Sequence, residues 1–203
     1  MTTVDDDADV PAREQLQRAF NRFSELVHRV PDDAWQSTTP CSQWSVRELV
    51  NHLTAEHLWA PRLLAGEGIA EVGDAYDGDV LGEDPVAAWD SAASRSRQSW
   101  AQATDSATVQ LSFGNVAVAE YAEQMLLDLT VHAWDLARGA GLQDADKVVP
   151  QAVLHVLRYV RGRNLPGGAL FGPPVRTDSV DPQDQLVALL GRDPVQGGGT
   201  AAS

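Results

Sequence analysis

The sequence predicts an all-α protein, built as a four-helix up-and-down bundle with a short C-terminal appendage. Several stretches carry apolar residues at the three- and four-residue spacing of one helix face, and prolines and glycines separate these stretches. No run of strands and no internal repeat interrupts the pattern. We therefore expect one helical domain over residues 11–194, preceded by a disordered acidic segment, 1–10, and followed by a disordered tail, 195–203.

Composition and charge narrow the classes of function. The 203 residues carry a formal net charge of −14, and such a field repels phosphate backbones and anionic lipid. We therefore expect neither nucleic acid nor a membrane as a partner. A single cysteine, Cys41, excludes an internal disulfide and a four-cysteine zinc site. The acidic start lacks the pattern of a signal peptide, and no apolar stretch is long enough to span a membrane, so the expected location is the cytoplasm.

The first two helices are predicted from apolar spacing and from their end signals. The first begins at Pro11 and ends before Pro31. Its inward face carries Leu16, Phe20, Phe23, Val27 and Val30. The second begins at Ser45, which together with Glu48 has the spacing of a capping box, and it ends before Gly66.

The middle of the chain predicts a loop, a third helix and a short extended piece. Residues 66–84 mix glycine with acidic residues and show no period, so they are expected to form a long mobile connection that could act as a lid. Asp84 and Pro85 predict the start of the third helix. Alternating apolar residues between 108 and 113 predict a short extended piece. Two later helices are expected over about residues 148–162 and from Pro182 to Gly191.

The fourth predicted helix, about residues 117–138, carries the residues best suited to chemistry. Asp128 and His132 are four positions apart, so both side chains lie over the same groove of the helix. Tyr121 and Met125 share this inward face, where an ionised aspartate requires a positive partner. Because the segment contains no lysine, a divalent cation would meet that requirement. Spacing alone also allows a simple hydrogen-bonded pair.

The second helix supplies the third predicted ligand, His52, which lies beside the apolar positions Leu49 and Leu53. Glu56 follows one turn later on the same face and is predicted to be either a fourth ligand or a base. His57 is turned about 140° away from His52 and is expected in solvent or packed elsewhere.

Other residues have competing interpretations. Asp135 either accepts a hydrogen bond from the His132 ring or lies at the surface, and the surface position is preferred. Cys41 is interpreted as a small packing residue rather than a nucleophile, because no histidine is fixed beside it by spacing. Four tryptophans are interpreted as core residues rather than as walls of a ligand pocket. They are Trp35, Trp44, Trp59 and Trp134.

Three runs of sequence carry a resemblance to a known family. The runs TPCSQWSVRELVNHL, LLDLTVHAWDLARGAG and PQDQLVALLGRDP resemble a bacterial family of metal-binding bundle proteins related to mycothiol-dependent maleylpyruvate isomerase, within the DinB-like superfamily. The resemblance spans about Leu16 to Pro194. It implies a DinB-like bundle in which His52, Asp128 and His132 hold a divalent metal. The isomerase itself has Glu where this chain has Asp128.

The resemblance also implies a reaction class. Two histidines and one carboxylate leave coordination positions open, as catalytic sites do. The implied metal is zinc, with nickel or iron as alternatives, and the implied cofactor is mycothiol or another thiol. The expected function is therefore a thiol-dependent isomerase or S-transferase that acts on a small molecule. The chain is short after residue 164, so the separate C-terminal domain of the isomerase is expected to be missing.

Several alternatives stay open. A non-catalytic bundle, stabilised by the metal and serving in ligand binding or stress response, is the main one. The same ligand set permits a hydrolase with Glu56 as base, or a non-haem iron oxygenase. No cationic cluster for a dicarboxylate is visible, since Arg47, Arg62 and Arg138 are typical of solvated helix positions. The oligomeric state is undetermined, with a homodimer as one alternative.

Overall fold

The computed structural model describes residues 10–142, 146–163 and 171–195. These ranges contain seven α-helices and one hairpin of two strands. The elements are α1 Ala12–Val27, α2 Val46–Leu64, α3 Ile69–Val72, α4 Pro85–Gln102, β1 Thr108–Leu111, β2 Gly114–Ala117, α5 Val118–Gly139, α6 Pro150–Arg163 and α7 Pro182–Leu189. The predicted disordered ends, apart from Val10 and Val195, lie outside the described residues.

The four long helices α1, α2, α4 and α5 form the bundle. Helix α2 packs against α4 and α5, and α1 packs against α5 and α4. Helix α6 packs against α5 and α1, and α7 packs against α6. Large apolar side chains fill the centre and are fully buried. They include Phe20, Phe23, Leu53, Trp89, Trp100, Leu126 and Trp134. The predicted all-α, DinB-like bundle is confirmed.

Helix α2 begins where the capping box predicts. The Glu48 backbone N–H donates to Ser45 Oγ at 3.3 Å, and the Ser45 backbone N–H donates to Glu48 Oε2 at 2.8 Å. Each side chain thus satisfies a backbone donor that a helix start leaves without a partner. This defined start places Leu49 and Leu53 in the core and His52 at the edge of the buried face.

The connection between α2 and α4 differs from the prediction of an irregular mobile segment. It contains the short helix α3, and polar side chains of α2 form an ion pair and hydrogen bonds with residues of this connection. Arg47 forms an ion pair with Asp79 at 2.7 Å. The Asn51 side chain donates to the Gly78 carbonyl and accepts from the Val80 N–H, each at 2.8 Å. The sequence of residues 66–84 could not predict these contacts, because the side chains that form them, Arg47 and Asn51, belong to α2.

The predicted extended piece is one strand of a hairpin. Strands β1 and β2 pair in antiparallel fashion, and Gly114 adopts a φ of 128°, which glycine reaches without strain. The tip presents Phe113, whose surface is 68% exposed. The hairpin joins α4 directly to α5. In the described residues, no helix is long and apolar enough to cross a membrane.

Candidate metal centre

Helices α2 and α5 bring the three predicted ligands together. His52 Nε2 lies 3.1 Å from Asp128 Oδ2, and His132 Nε2 lies 3.9 Å from Asp128 Oδ1. One ligand atom from each of the three residues falls within 4.8 Å of the others. The i, i+4 spacing on α5 accounts for the Asp128 and His132 pair, and the packing of α2 against α5 adds His52.

A buried acid orients the His132 ring. His132 Nδ1 lies 2.9 Å from Asp135 Oδ2, and Asp135 has no exposed surface. Because a carboxylate can only accept, Nδ1 carries the proton of this hydrogen bond, and Nε2 is the ring nitrogen that faces Asp128. The preferred prediction of a surface Asp135 was therefore wrong, and the alternative of a hydrogen bond to His132 is what the structure shows.

Sequence reasoning missed Arg192, which completes this arrangement. Its Nη2 donates to Asp135 Oδ2 at 2.8 Å and its Nε donates to Asp135 Oδ1 at 3.3 Å. Arg192 is 4% exposed, so both charges of the pair are buried. Burial raises the pKa of Asp135, but the His132 hydrogen bond and the Arg192 charge outweigh it and hold that pKa below its usual value. Arg192 lies 57 residues from Asp135, beyond the reach of any spacing rule.

The three predicted ligands line a cavity of about 990 Å³. Trp44 forms one wall, with its ring centroid 4.5 Å from that of His52 and 5.5 Å from that of His132. Trp59 also lines the cavity, whereas Trp134 lies in the core as predicted. Trp44, just before the start of α2, and Trp59, within α2, are partly buried against the core and also line the cavity, so the two interpretations do not exclude each other for them.

Glu56 lines the same cavity but does not belong to the ligand cluster. In the described residues, the two groups of candidate ligands within 4.8 Å of one another do not include it. Burial, and next the charge of Asp128, raise the pKa of Glu56 to about 7. A carboxylic acid with this pKa can both release and accept a proton near neutral pH. Glu56 therefore lies apart from the ligand cluster and can carry a proton in the metal-free protein.

We expect Glu56 to make the metal-free protein less stable as pH rises. Its pKa is raised in the folded state, so its stabilising contribution is complete below about pH 4.5 and is lost as pH approaches and passes about 7. The loss should reach about 3 kcal/mol in the free energy of unfolding. Denaturation between pH 4 and 8 in the presence of a chelator should therefore give a smaller loss for Glu56→Gln than for the original protein. The exposed Glu83→Gln is the control, and parallel curves for all three proteins would contradict the prediction.

The two remaining candidates, His57 and Cys41, lie in different surroundings. His57 is fully buried on the opposite face of α2, against Phe20 and Trp89, and is hydrogen-bonded to Ser96 at 3.0 Å. The prediction that it packs elsewhere is confirmed.

Cys41 lines the cavity and forms a second cluster of candidate metal ligands with His132 and Asp135, so the fold places a histidine beside it. Burial and Asp135 raise the pKa of Cys41, which keeps its thiol protonated.

The donor set fits a divalent cation. It provides two imidazole nitrogens and a carboxylate, the ligand types that zinc and related metals take. Burial by itself would raise the pKa of Asp128. The hydrogen bond from His52 and the charges of the histidines outweigh burial and hold this pKa below its usual value, so the ionised carboxylate is the favoured form. In the described residues, Asp128 has only histidines as ion-pair partners. A cation would replace the proton that His52 and Asp128 share, so metal affinity should fall as pH falls.

Comparison with known proteins identifies the family. The family model described as the mycothiol maleylpyruvate isomerase N-terminal domain matches residues 16–137. The chain belongs to this family. The predicted resemblance is therefore confirmed, and all three candidate ligands lie inside the matched range, whereas Arg192 lies outside it.

The curated relatives of this family member carry no stated activity. Uncharacterized proteins from two strains of Mycobacterium tuberculosis are each 32% identical to the chain over 184 residues. The alignments cover 87% of this chain and 94% of each relative. No solved structure matches the chain significantly.

Proposed function

We propose that this family member is a divalent-metal enzyme that uses mycothiol or another small thiol for isomerisation or S-transfer. One observation carries the proposal: the ligand atoms of His52, Asp128 and His132 converge on the wall of a cavity large enough for a thiol and a second substrate. Such ligand sets with open positions are typical of catalytic sites, whereas structural zinc sites are closed by four protein ligands.

Each side chain has a distinct task in this proposal. His132, His52 and the Asp128 carboxylate would hold the ion, and Asp135 with Arg192 fixes the His132 ring. A bound divalent cation lowers the pKa of a thiol or water that coordinates it. Glu56 would accept the proton that the thiol releases: in isomerisation it returns this proton to the thiol when the thiol leaves, and in S-transfer the proton leaves with the displaced group. Trp44 covers the two imidazoles on one side and limits the access of water.

Zinc is the proposed metal, because two imidazoles and a carboxylate suit it and because the chemistry needs no change of oxidation state. Nickel and iron accept the same ligands. In the main alternative, the metal only stabilises the packing of the helices. A structural zinc site of that kind needs a fourth protein ligand, and Glu56 lies outside the ligand cluster, which argues against this alternative.

Metal content and thiol-dependent turnover test the proposal together. Purified protein should contain about one divalent ion per chain by elemental analysis. We expect it to catalyse at least one of two reactions with mycothiol: isomerisation of maleylpyruvate, or arylation of the thiol by 1-chloro-2,4-dinitrobenzene, in which the thiol sulfur displaces chloride. Chelation should abolish the rate and Zn²⁺ should restore it. Stoichiometric metal without thiol-dependent turnover would support the structural alternative, and Fe(II)-dependent oxygen uptake would support an oxygenase.

A further inference from the structure

Two groups of polar side chains line the cavity at separated positions along α5, and they are called here the two ends of the cavity. Its lining follows α5 from His132 back to Glu120, twelve residues of helix or about 18 Å. The metal cluster forms one end. The other end is formed by Glu120 and Gln124 on α5 and by Tyr159 and Arg163 on α6, and Glu120 lies about 12 Å along the helix from Asp128.

The far end is polar but carries no net charge. The Tyr159 hydroxyl donates to Glu120 Oε1 at 2.9 Å, and Arg163 forms an ion pair with the same carboxylate. Gln124 adds an amide that reaches Glu120 at 3.4 Å, and the Arg163 guanidinium stacks 4.9 Å from the Tyr159 ring centre. Burial and the adjacent Glu120 raise the pKa of Tyr159, so its hydroxyl stays a donor. This set offers donors and acceptors to a ligand without a free charge.

Apart from these two groups, the cavity lining is mainly apolar. Its apolar side chains come largely from α2, α3 and the β-hairpin. The side chains are Trp59, Leu63, Ile69, Leu111, Phe113 and Val116. A ligand that reaches both ends must therefore carry an apolar section between them.

The geometry points to a second binding subsite at Glu120, Gln124, Tyr159 and Arg163, which takes an uncharged hydroxyl or amide group of the same ligand whose reactive head meets the metal cluster. The inference rests on the proposed function for the position of the head. The ligand class is an elongated amphipathic molecule with its polar groups about 12 Å apart.

The charges of the lining argue against a dicarboxylate at this subsite. In the described part of the cavity wall, the cationic side chains are Arg163 and Arg192, and each is already paired with a carboxylate. A second carboxylate of a ligand would compete with Glu120 for Arg163, whereas a hydroxyl can join the existing hydrogen bonds. Arg47, Arg62 and Arg138 form ion pairs with Asp79, Glu67 and Asp146 and do not line the cavity.

A series of matched probes tests the subsite on the full-length, zinc-loaded protein. Isothermal titration compares 8-mercapto-1-octanol, whose extended length suits the two ends, with 1-octanethiol, 8-mercapto-octanoic acid and 1-octanol. We expect the mercapto-alcohol to bind about threefold to tenfold more tightly than 1-octanethiol and than the acid, as one good hydrogen bond allows. Tyr159→Phe should remove most of this advantage, and Glu120→Gln should reduce it. Tyr76→Phe is the control, since Tyr76 does not line the cavity.

The outcomes separate the subsite from the metal centre. Equal binding of mercapto-octanol and octanethiol, tighter binding of the acid, or an equal effect of Tyr159→Phe on both thiols would each overturn the subsite. The advantage of mercapto-octanol over 1-octanol measures the thiol head alone. If that advantage is absent while Tyr159→Phe still weakens mercapto-octanol, the proposed thiol chemistry fails and the subsite stands.

Discussion

Replacing His132 by alanine is expected to release the metal while the bundle stays folded. His132 supplies one of three ligand atoms, and its loss leaves two ligands from different helices, which hold a cation poorly. We expect metal affinity to fall by more than about 100-fold, the upper range for the loss of residues that merely support a ligand. Thiol-dependent turnover should disappear with the metal. Competition against a metallochromic indicator measures the affinity, and circular dichroism checks the fold.

His28→Ala is the matched control for this variant. His28 lies outside the cavity lining, is partly exposed and pairs with Asp90 at the surface, so its removal should change neither metal content nor turnover. Retention of stoichiometric metal by the His132 variant would show that the ligand set is wrong. Loss of metal with a large fall in melting temperature and no turnover in the original protein would favour the metal-stabilised, non-catalytic alternative.

Removing the charge of Asp135 is expected to have the largest effect on stability. Asp135→Asn leaves the Arg192 guanidinium buried without its carboxylate, and breaking a buried ion pair in this way costs about 3–5 kcal/mol. The same change weakens the acceptor that orients His132, which should lower metal affinity about 10- to 100-fold. Chemical denaturation of the chelated protein separates the first effect from the second.

The double variant Asp135→Asn with Arg192→Met tests the cause. It removes the unpaired charge, so it should recover a large part of the lost stability while metal affinity stays low. Glu25→Gln is the control, because Glu25 pairs with Arg22 at the surface and such pairs contribute little. The lowered pKa of Asp135 adds a pH dependence: its contribution is complete above about pH 4 and is lost as pH falls through the folded value. A double variant as unstable as the single one would contradict this account.

Local sequence rules predicted most of the fold and the central part of the candidate site. Start signals at Ser45, Asp84 and Pro182 marked helix starts that the structure reproduces. The four-residue spacing of Asp128 and His132 predicted that their side chains share a groove, because helix geometry alone fixes that relation. The inclusion of His52 needed the additional assumption that its face of α2 meets α5.

The same rules failed where partners come from distant elements. Asp135 looked like a surface acid, since nothing within one helical turn supplies the Arg192 charge that allows its burial. Residues 66–84 looked irregular because Arg47 and Asn51, which hold them, belong to α2. The far end of the cavity requires α6 to set Tyr159 beside Glu120, 39 residues away.

By itself, the sequence determined the all-helical class, the helix starts, and a carboxylate and an imidazole facing one groove, because each depends on residues within a turn of one another. The tertiary structure decided that His52 completes the cluster, that Arg192 neutralises Asp135 behind it, and that the cavity ends in a second polar group. The reason is physical: the burial of a charge depends on everything that packs around it, and those contacts exist only after the helices have assembled.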